Sequence, residues 1–136
     1  MSPRDHSEKK GKRADIEALF AELLISDKVI TVIVTSAEGL PVASGKPTEL
    51  FPEAMLSALT ATLMATTEQM GQQMGLGNSR SLKVELDLGI LLMREIRERV
   101  SLGLILEQDS NLAYYEVTME KLVREIDAIL FPDLQE

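Results

Sequence analysis

Residues 29–45 read VITVIVTSAEGLPVASG. Val29–Ser36 is β-branched and apolar at successive positions, so both of its faces should be covered, as in a central strand. Ala37-Glu38-Gly39 follows, and Gly39 can take the positive φ of a tight turn. Leu40–Ser44 then forms the second arm of a hairpin. Pro41 lies within that arm, and a proline donates no ladder hydrogen bond, so this strand belongs at a sheet edge.

Downstream of the hairpin, Phe51–Leu76 (FPEAMLSALTATLMATTEQMGQQMGL) carries only two charges, Glu53 and Glu68. Its length suits a helix of about seven turns. Pro52 fits the first turn, and Gly75, Gly77 and Asn78 supply the stop. On a helical wheel Met55, Leu56, Leu59, Leu63, Met70 and Met74 fall on one side. Ala54, Ala58, Ala61 and Ala65, then Gln72, fall roughly opposite. An ordinary surface helix has one apolar stripe and a charged back. Two uncharged faces lead us to expect that the large residues cover the protein's own core and the flat alanine face receives a second helix. Burial of both faces within one subunit is the alternative, but a short chain has few elements to provide it. The methionines Met55, Met64, Met70 and Met74 are read as packing residues rather than an adaptable binding surface.

Upstream, residues 1–13 are polar, include Pro3 and Gly11, and show no apolar period, so they read as a disordered basic tail. Asp15 precedes Ile16, Leu19, Phe20, Leu23 and Leu24, the spacing of one buried helical stripe ending near Ser26-Asp27. Beyond the long helix, Leu82, Val84 and Leu86 alternate with Lys83, Glu85 and Asp87, which predicts a half-buried strand. A turn at Leu88-Gly89 leads to Ile90–Ile96, and a turn at Arg97-Glu98 to Val100–Glu107. Gly103 lies on the opposite face from Val100, Leu102, Leu104 and Leu106, where a helix could approach closely. Asp109-Ser110-Asn111 offers N-caps for a last helix that runs to about Leu130. Its stripe is Leu112, Tyr115, Met119, Leu122, Ile126 and Ile129, and Pro132 ends it. The order is α-β-β-α-β-β-β-α. Short turns imply antiparallel pairing, and five strands with helices on both faces make a three-layer α/β/α sandwich of the α+β class. The domain spans residues 14–131, with 132–136 as a C-terminal tail.

Composition narrows the chemistry. At 136 residues the chain is one domain with room for a core. It contains no cysteine, which removes disulfides and thiolate sites and fits a reducing, cytoplasmic setting. The single histidine, His6, sits in the tail, so no histidine-based metal site or catalytic triad is expected. No cofactor is implied. The net charge is −8; the tail holds five basic residues (Arg4, Lys9, Lys10, Lys12, Arg13) against Asp5 and Glu8, a net +3, which leaves −11 on the rest. An acidic body argues against nucleic-acid binding, which depends on phosphate neutralisation. No apolar run is long enough for membrane insertion.

The order and the residues together resemble the Roadblock/dynein light chain family, which includes bacterial and archaeal members acting on small Ras-like GTPases. The hairpin carries the resemblance best, through Glu38, Gly39, Leu40, Pro41, Val42 and Ala43. The length of the Phe51–Leu76 helix and the final strand and helix, VSLGLILEQDSNLAYYEV, add to it. The chain departs from many members in its tight Asp87-Leu88-Gly89 turn. The resemblance implies strand order 2-1-5-4-3 and a homodimer built from the far edge strand and the long helices. Ala54, Ala58, Ala61, Ala65 and Gln72 with Leu82, Lys83, Val84 and Glu85 are the interface expected here. Lys83 and Glu85 could pair with Glu85 and Lys83 of an antiparallel twin, and Ala61→Arg is expected to dissociate the dimer.

The densest charge cluster, REIRER, contains Arg94, Arg97 and Arg99. An arginine can stabilise a transferring phosphoryl group, but alternating charges near a turn usually form a solvated, self-paired surface. The resemblance also points away from a finger, because its GTPase-activating members are thought to reposition the GTPase's own residues. Those arginines are retained as partner contacts. Glu107 and Asp109 read as a strand end and a cap, and Gly75-Leu76-Gly77 sits at the wrong end of a helix for phosphate. The expectation is a non-enzymatic, cytoplasmic homodimer that binds a small Ras-like GTPase, with a scaffold for other Roadblock- or longin-like subunits as the alternative. A small-molecule sensor ranks last because few polar residues fall in the core.

Overall fold

The computed structural model describes the backbone of residues 3–135 and the side chains of residues 11–135. In chain order the elements are α1 (Pro3–Leu19), β1 (Val29–Ser36), β2 (Pro41–Gly45), α2 (Glu53–Gln73), β3 (Ser81–Leu86), β4 (Gly89–Ile96), β5 (Val100–Glu107) and α3 (Leu112–Leu130). Short 3₁₀ turns occupy Leu23–Ile25 and Pro132–Leu134. The strands form one antiparallel sheet in the order β2-β1-β5-β4-β3. The fold class, element order and strand order are those expected, and Pro41 does lie in an edge strand.

The sheet has two unlike faces. Val32, Val34, Ile90, Leu92, Ile96, Leu102, Leu104 and Leu106 point to α1 and α3 and close a core with Ile16, Phe20, Leu23, Tyr115, Met119, Leu122 and Ile126. Each such side chain contributes about 1.5–3 kcal/mol on leaving water. The predicted stripe of α3 is the one that is buried. Its first turn is capped as expected, with Asn111 Oδ1 accepting the Tyr114 N–H at 3.2 Å. Tyr115 brings its hydroxyl into this core and satisfies it against Ser26 Oγ at 2.9 Å.

The first helix differs from expectation. It begins at Pro3, so residues 3–13, read from sequence as part of a disordered tail, are helical in backbone. Met1, Ser2 and Glu136 lie outside the described residues. Proline suits a first helical turn, and Glu, Lys, Arg and Ala are all good helix formers. Once Ile16 in the last turn and Phe20 just after it anchor the helix end, propagation backward costs little. The helix also stops early, at Leu19, and Leu23 reaches the core from the separate 3₁₀ turn.

The second correction concerns α2. Its buried residues are Leu56, Ser57, Thr60 and Met64, whereas Met55, Leu59, Leu63, Met70 and Met74 are exposed. Of the large stripe only Leu56 turns inward, and the other five residues stay outside. The reason lies in the sheet. Ser44, Ile33, Gly103, Met93 and Leu82 form one row across the five strands on the α2 face. A Cβ on Gly103 would sit 3.1 Å from Ile33 Cγ2 and 3.5 Å from Thr60 Cγ2. The helix crosses β5 at this gap, as Gly103 suggested, with Thr60 seated over the glycine. The polar atoms buried with it are largely satisfied: Thr31 Oγ1 donates to Gly45 O at 2.8 Å and Thr35 Oγ1 to Leu40 O at 3.1 Å. Among the described residues, no helix is long and apolar enough to cross a membrane.

Candidate interaction surface

The tilt of α2 across the sheet decides what stays open. Ala58 and Ala61 stand over the β1–β2 turn, where a Cβ on Gly39 would lie 3.6 Å from Ala58 Cα and 3.8 Å from Ala61 Cβ. That flank therefore faces the turn end of the sheet. The opposite flank, Met55, Leu59, Leu63 and Met70, faces the other end. There the row Val84–Leu91–Ile105 is only half-buried and Leu86 is exposed. Leu59 and Met70 are 54 % and 55 % exposed. Scattered apolar residues on a surface mean little, but four large ones on one helix flank, with an open sheet row, are of the kind that marks an interface.

The alanine face is a different surface from the one expected. Ala54, Ala58, Ala65 and Gln72 are exposed and Ala61 is half-buried. The Gly39 turn abuts this face at Ala58 and Ala61, so it is not a flat plane along its length. Sequence reasoning missed the Leu59–Met70 flank as a surface because it assigned the largest residues inward. The signal was the pairing of Gly103 with Thr60, which marks the true inner stripe.

At the sheet's far edge, β3 pairs only with β4. Lys83 and Glu85 are exposed, and Leu82 and Val84 are half-buried. The family-type hairpin residues divide by role. Glu38 and Leu40 are exposed at the tip, Gly39 takes φ +88°, Pro41 and Val42 are half-buried, and Ala43 is fully buried. Only a glycine adopts that φ without strain. The motif thus builds the turn that abuts α2.

All three arginines are engaged with α3 or its C-terminal end. Arg94 reaches Glu120 at 3.7 Å. Arg97 grips Asp127 through two bonds, Nε–Oδ1 at 2.5 Å and Nη2–Oδ2 at 3.1 Å, and also donates to Leu134 O. Arg99 stacks its guanidinium 5.6 Å from the Phe131 ring centroid. The hydrogen bond from Arg97, with a second from Gln135, holds the Asp127 carboxyl below the usual carboxylate range. Arg97 and Glu98 both have left-handed φ, 53° and 59°, at the two central positions of the β4–β5 turn. Neither is the glycine or asparagine such a turn favours. Nearby, burial pushes the Glu95 carboxyl up, though its Oε2 accepts the Glu98 N–H at 2.5 Å. Among the described residues, no group of three or more acidic or histidine side chains could hold a metal ion.

Comparison with known proteins agrees with this geometry. The Roadblock/LC7 domain model matches residues 15–106. No curated protein matches the chain. Myxococcus xanthus MglB superposes with a TM-score of 0.79 at 18 % identity, covering 100 % of this chain and 97 % of that one. A Roadblock/LC7 domain from Streptomyces avermitilis gives 0.77 at 20 % identity, covering 85 % and 98 %. The gliding protein MglB of Thermus thermophilus gives 0.73 at 16 % identity, covering 87 % and 90 %. At these identities the superpositions carry the fold alone. With the matched domain extending from the end of α1 through β5, the chain is a member of the Roadblock/LC7 domain family.

Proposed function

We propose that this chain is a non-enzymatic regulatory module that forms a homodimer and, as a dimer, binds a small Ras-like GTPase in the cytoplasm. The observation that carries the reading is the α2 face of the sheet, which leaves open the exposed Met55–Leu59–Leu63–Met70 flank, the half-buried Val84–Leu91–Ile105 row and the β3 edge. A second copy covers that patch and satisfies the edge, as an isologous contact requires. Leu82, Lys83, Val84 and Glu85 stay in the interface, and the large flank of α2 takes the helix contact assigned from sequence to Ala54, Ala58, Ala61, Ala65 and Gln72. The composite face of two α2 helices then receives the GTPase. Family membership supports the class of partner, and it does so by analogy. Because Arg94, Arg97 and Arg99 are already committed to α3, the module acts by positioning the GTPase rather than by inserting an arginine. Pull-down with small Ras-like GTPases from the same genome, loaded with GTP or GDP, tests this. Capture in one nucleotide state is expected, and no capture in either state overturns the reading.

A scaffold role is the second reading. One solved neighbour, with a TM-score of 0.74 at 16 % identity, is an MglB with a tetrameric arrangement, and that arrangement favours assembly beyond a dimer. A native mass above the dimer, indifferent to nucleotide, would support it.

A further inference from the structure

We propose that the distal half of α2, residues 65–73, exchanges between helix and open chain in a single copy and is fixed as helix by a second one, so that association and helix ordering are one event. The inference rests on the homodimer reading above. The two long helices are anchored in different ways. In α3 the buried residues Tyr115, Met119, Leu122 and Ile126 recur along the length of the helix. In α2 they are Leu56, Ser57, Thr60 and Met64, and none lies beyond Met64. The continuous core on the other face of the sheet contains no α2 residue. Residues 65–73 are therefore helix without one buried side chain.

Little else supplies what burial does not. Ordering a residue's backbone costs about what its helical hydrogen bond returns, so an unpacked helix propagates by a factor of only about 1–1.6 per residue even with good helix formers. Thr66, Thr67 and Gly71 are poor ones. The two threonines also turn their hydroxyls back on the preceding turn, Thr66 Oγ1 to Thr62 O at 2.8 Å and Thr67 Oγ1 to Leu63 O at 2.7 Å, a contact that weakens a helix slightly. The last turn has no basic residue to meet the negative end of the helix. Its end is clasped by the loop that follows. Leu76 N donates to Gly71 O at 2.7 Å, Gln72 Nε2 to Asn78 Oδ1 at 2.7 Å, and Asn78 Nδ2 to Glu98 Oε1. A Cβ at Gly71 would meet Gly77 O at 2.5 Å, so the loop lies directly on the helix. The two side-chain bonds of this clasp are exposed, and water competes for their partners. Met70 and Met74 are exposed on this same half. A second chain that covers them supplies the missing burial and closes the helix, as in folding coupled to binding. The face offered to a further partner is then complete in the dimer and incomplete in the single chain.

Gln69 is exposed on this half and gives a direct test. Glycine in place of alanine there shifts the helix equilibrium about 5-fold, and neither variant keeps the glutamine side chain. A rigid α2 would lose global stability in Q69G relative to Q69A and keep the same dimer Kd. Coupled ordering reverses this. The Kd of Q69G should lie about 10-fold or more above that of Q69A, because both copies contribute, and the urea midpoint of the single chain should be the same for both. R124A and R124G form the matched pair on α3, where Arg124 is also exposed. There the midpoint should move and the Kd should not. Hydrogen exchange read by mass spectrometry completes the test. In wild type diluted below its Kd, the amides of residues 66–73 should exchange about 100-fold or more faster than those of 116–126, and should slow as the dimer forms. Equal Kd for Q69A and Q69G, or amides of 66–73 as protected in the single chain as those of α3, overturns the proposal. A wild type that is monomeric at every concentration while residues 66–73 exchange fast upholds the opening and overturns the dimer reading beneath it.

Discussion

Replacing Leu59 and Met70 by glutamine separates the two flanks of α2 as candidate contacts. Both residues are more than half exposed in the single chain, at 54 % and 55 %. Full burial of such a side chain gives about 1.5–3 kcal/mol, so the exposed share of each represents roughly 1 kcal/mol still available to an interface. A two-fold contact uses each residue twice, which brings the loss for L59Q/M70Q to roughly 4 kcal/mol, or a dimer Kd raised by about 1,000-fold. Glutamine is a good helix former, so α2 itself should persist. Sedimentation velocity over a concentration series reads the mass, and far-UV circular dichroism checks the fold. A65R serves as the control on the opposite flank and is expected to leave the dimer intact. A61R is not suited to this role, because Ala61 lies against the Gly39 turn and an arginine there perturbs the hairpin as well. If L59Q/M70Q dimerises like the wild type while A65R becomes monomeric, the assignment is inverted and the alanine face is the contact.

Three further outcomes follow from the geometry. G103V places two methyl groups in the 3.1–3.5 Å gap below Thr60 and should cost about 1–3 kcal/mol; urea denaturation at the wild-type midpoint would show that α2 does not rest on β5. N111A removes the acceptor for the Tyr114 N–H and should cost about 1 kcal/mol, with an unchanged thermal midpoint counting against the cap. E95Q should be more stable than the wild type at neutral pH. Burial raises the folded pKa of Glu95 above the ordinary 4.5, so its contribution is complete below that value and is lost as pH rises through the folded pKa. The advantage of E95Q should therefore vanish below about pH 4.5, and an equal gap between the variants at every pH would rule out this linkage.

The strands were readable because each obeyed one rule at a time. Val29–Ser36 had no polar face, Leu82–Asp87 had strict alternation, and Pro41 excluded a central position. The α3 stripe was equally plain because its charged back is conventional. For α2 the rule that the largest apolar residues point inward failed, because depth of approach rather than hydrophobicity chose the inner face. Gly103 admitted the helix where Thr60 faced it, and Leu59 and Met70 were left outside. The left-handed Arg97-Glu98 turn had no signal of its own, since neither residue favours that conformation. It is held from outside, by Asp127 and Leu134. The helical start at Pro3 was missed because an apolar period was sought where charge-rich helix formers merely continue a helix anchored further on.

The single hydrogen at Gly103 has a consequence at a distance. It determines how deep α2 seats, and so how far Leu59 and Leu63 stand above the sheet and at what angle they meet a visitor. Affinity can therefore be retuned from inside the molecule. A methyl gained at residue 103, or lost at Thr60, would raise or lower the whole helix while every residue on the outer surface kept its identity. Two relatives with the same surface sequence could then differ in partnership solely because of what lies beneath the helix.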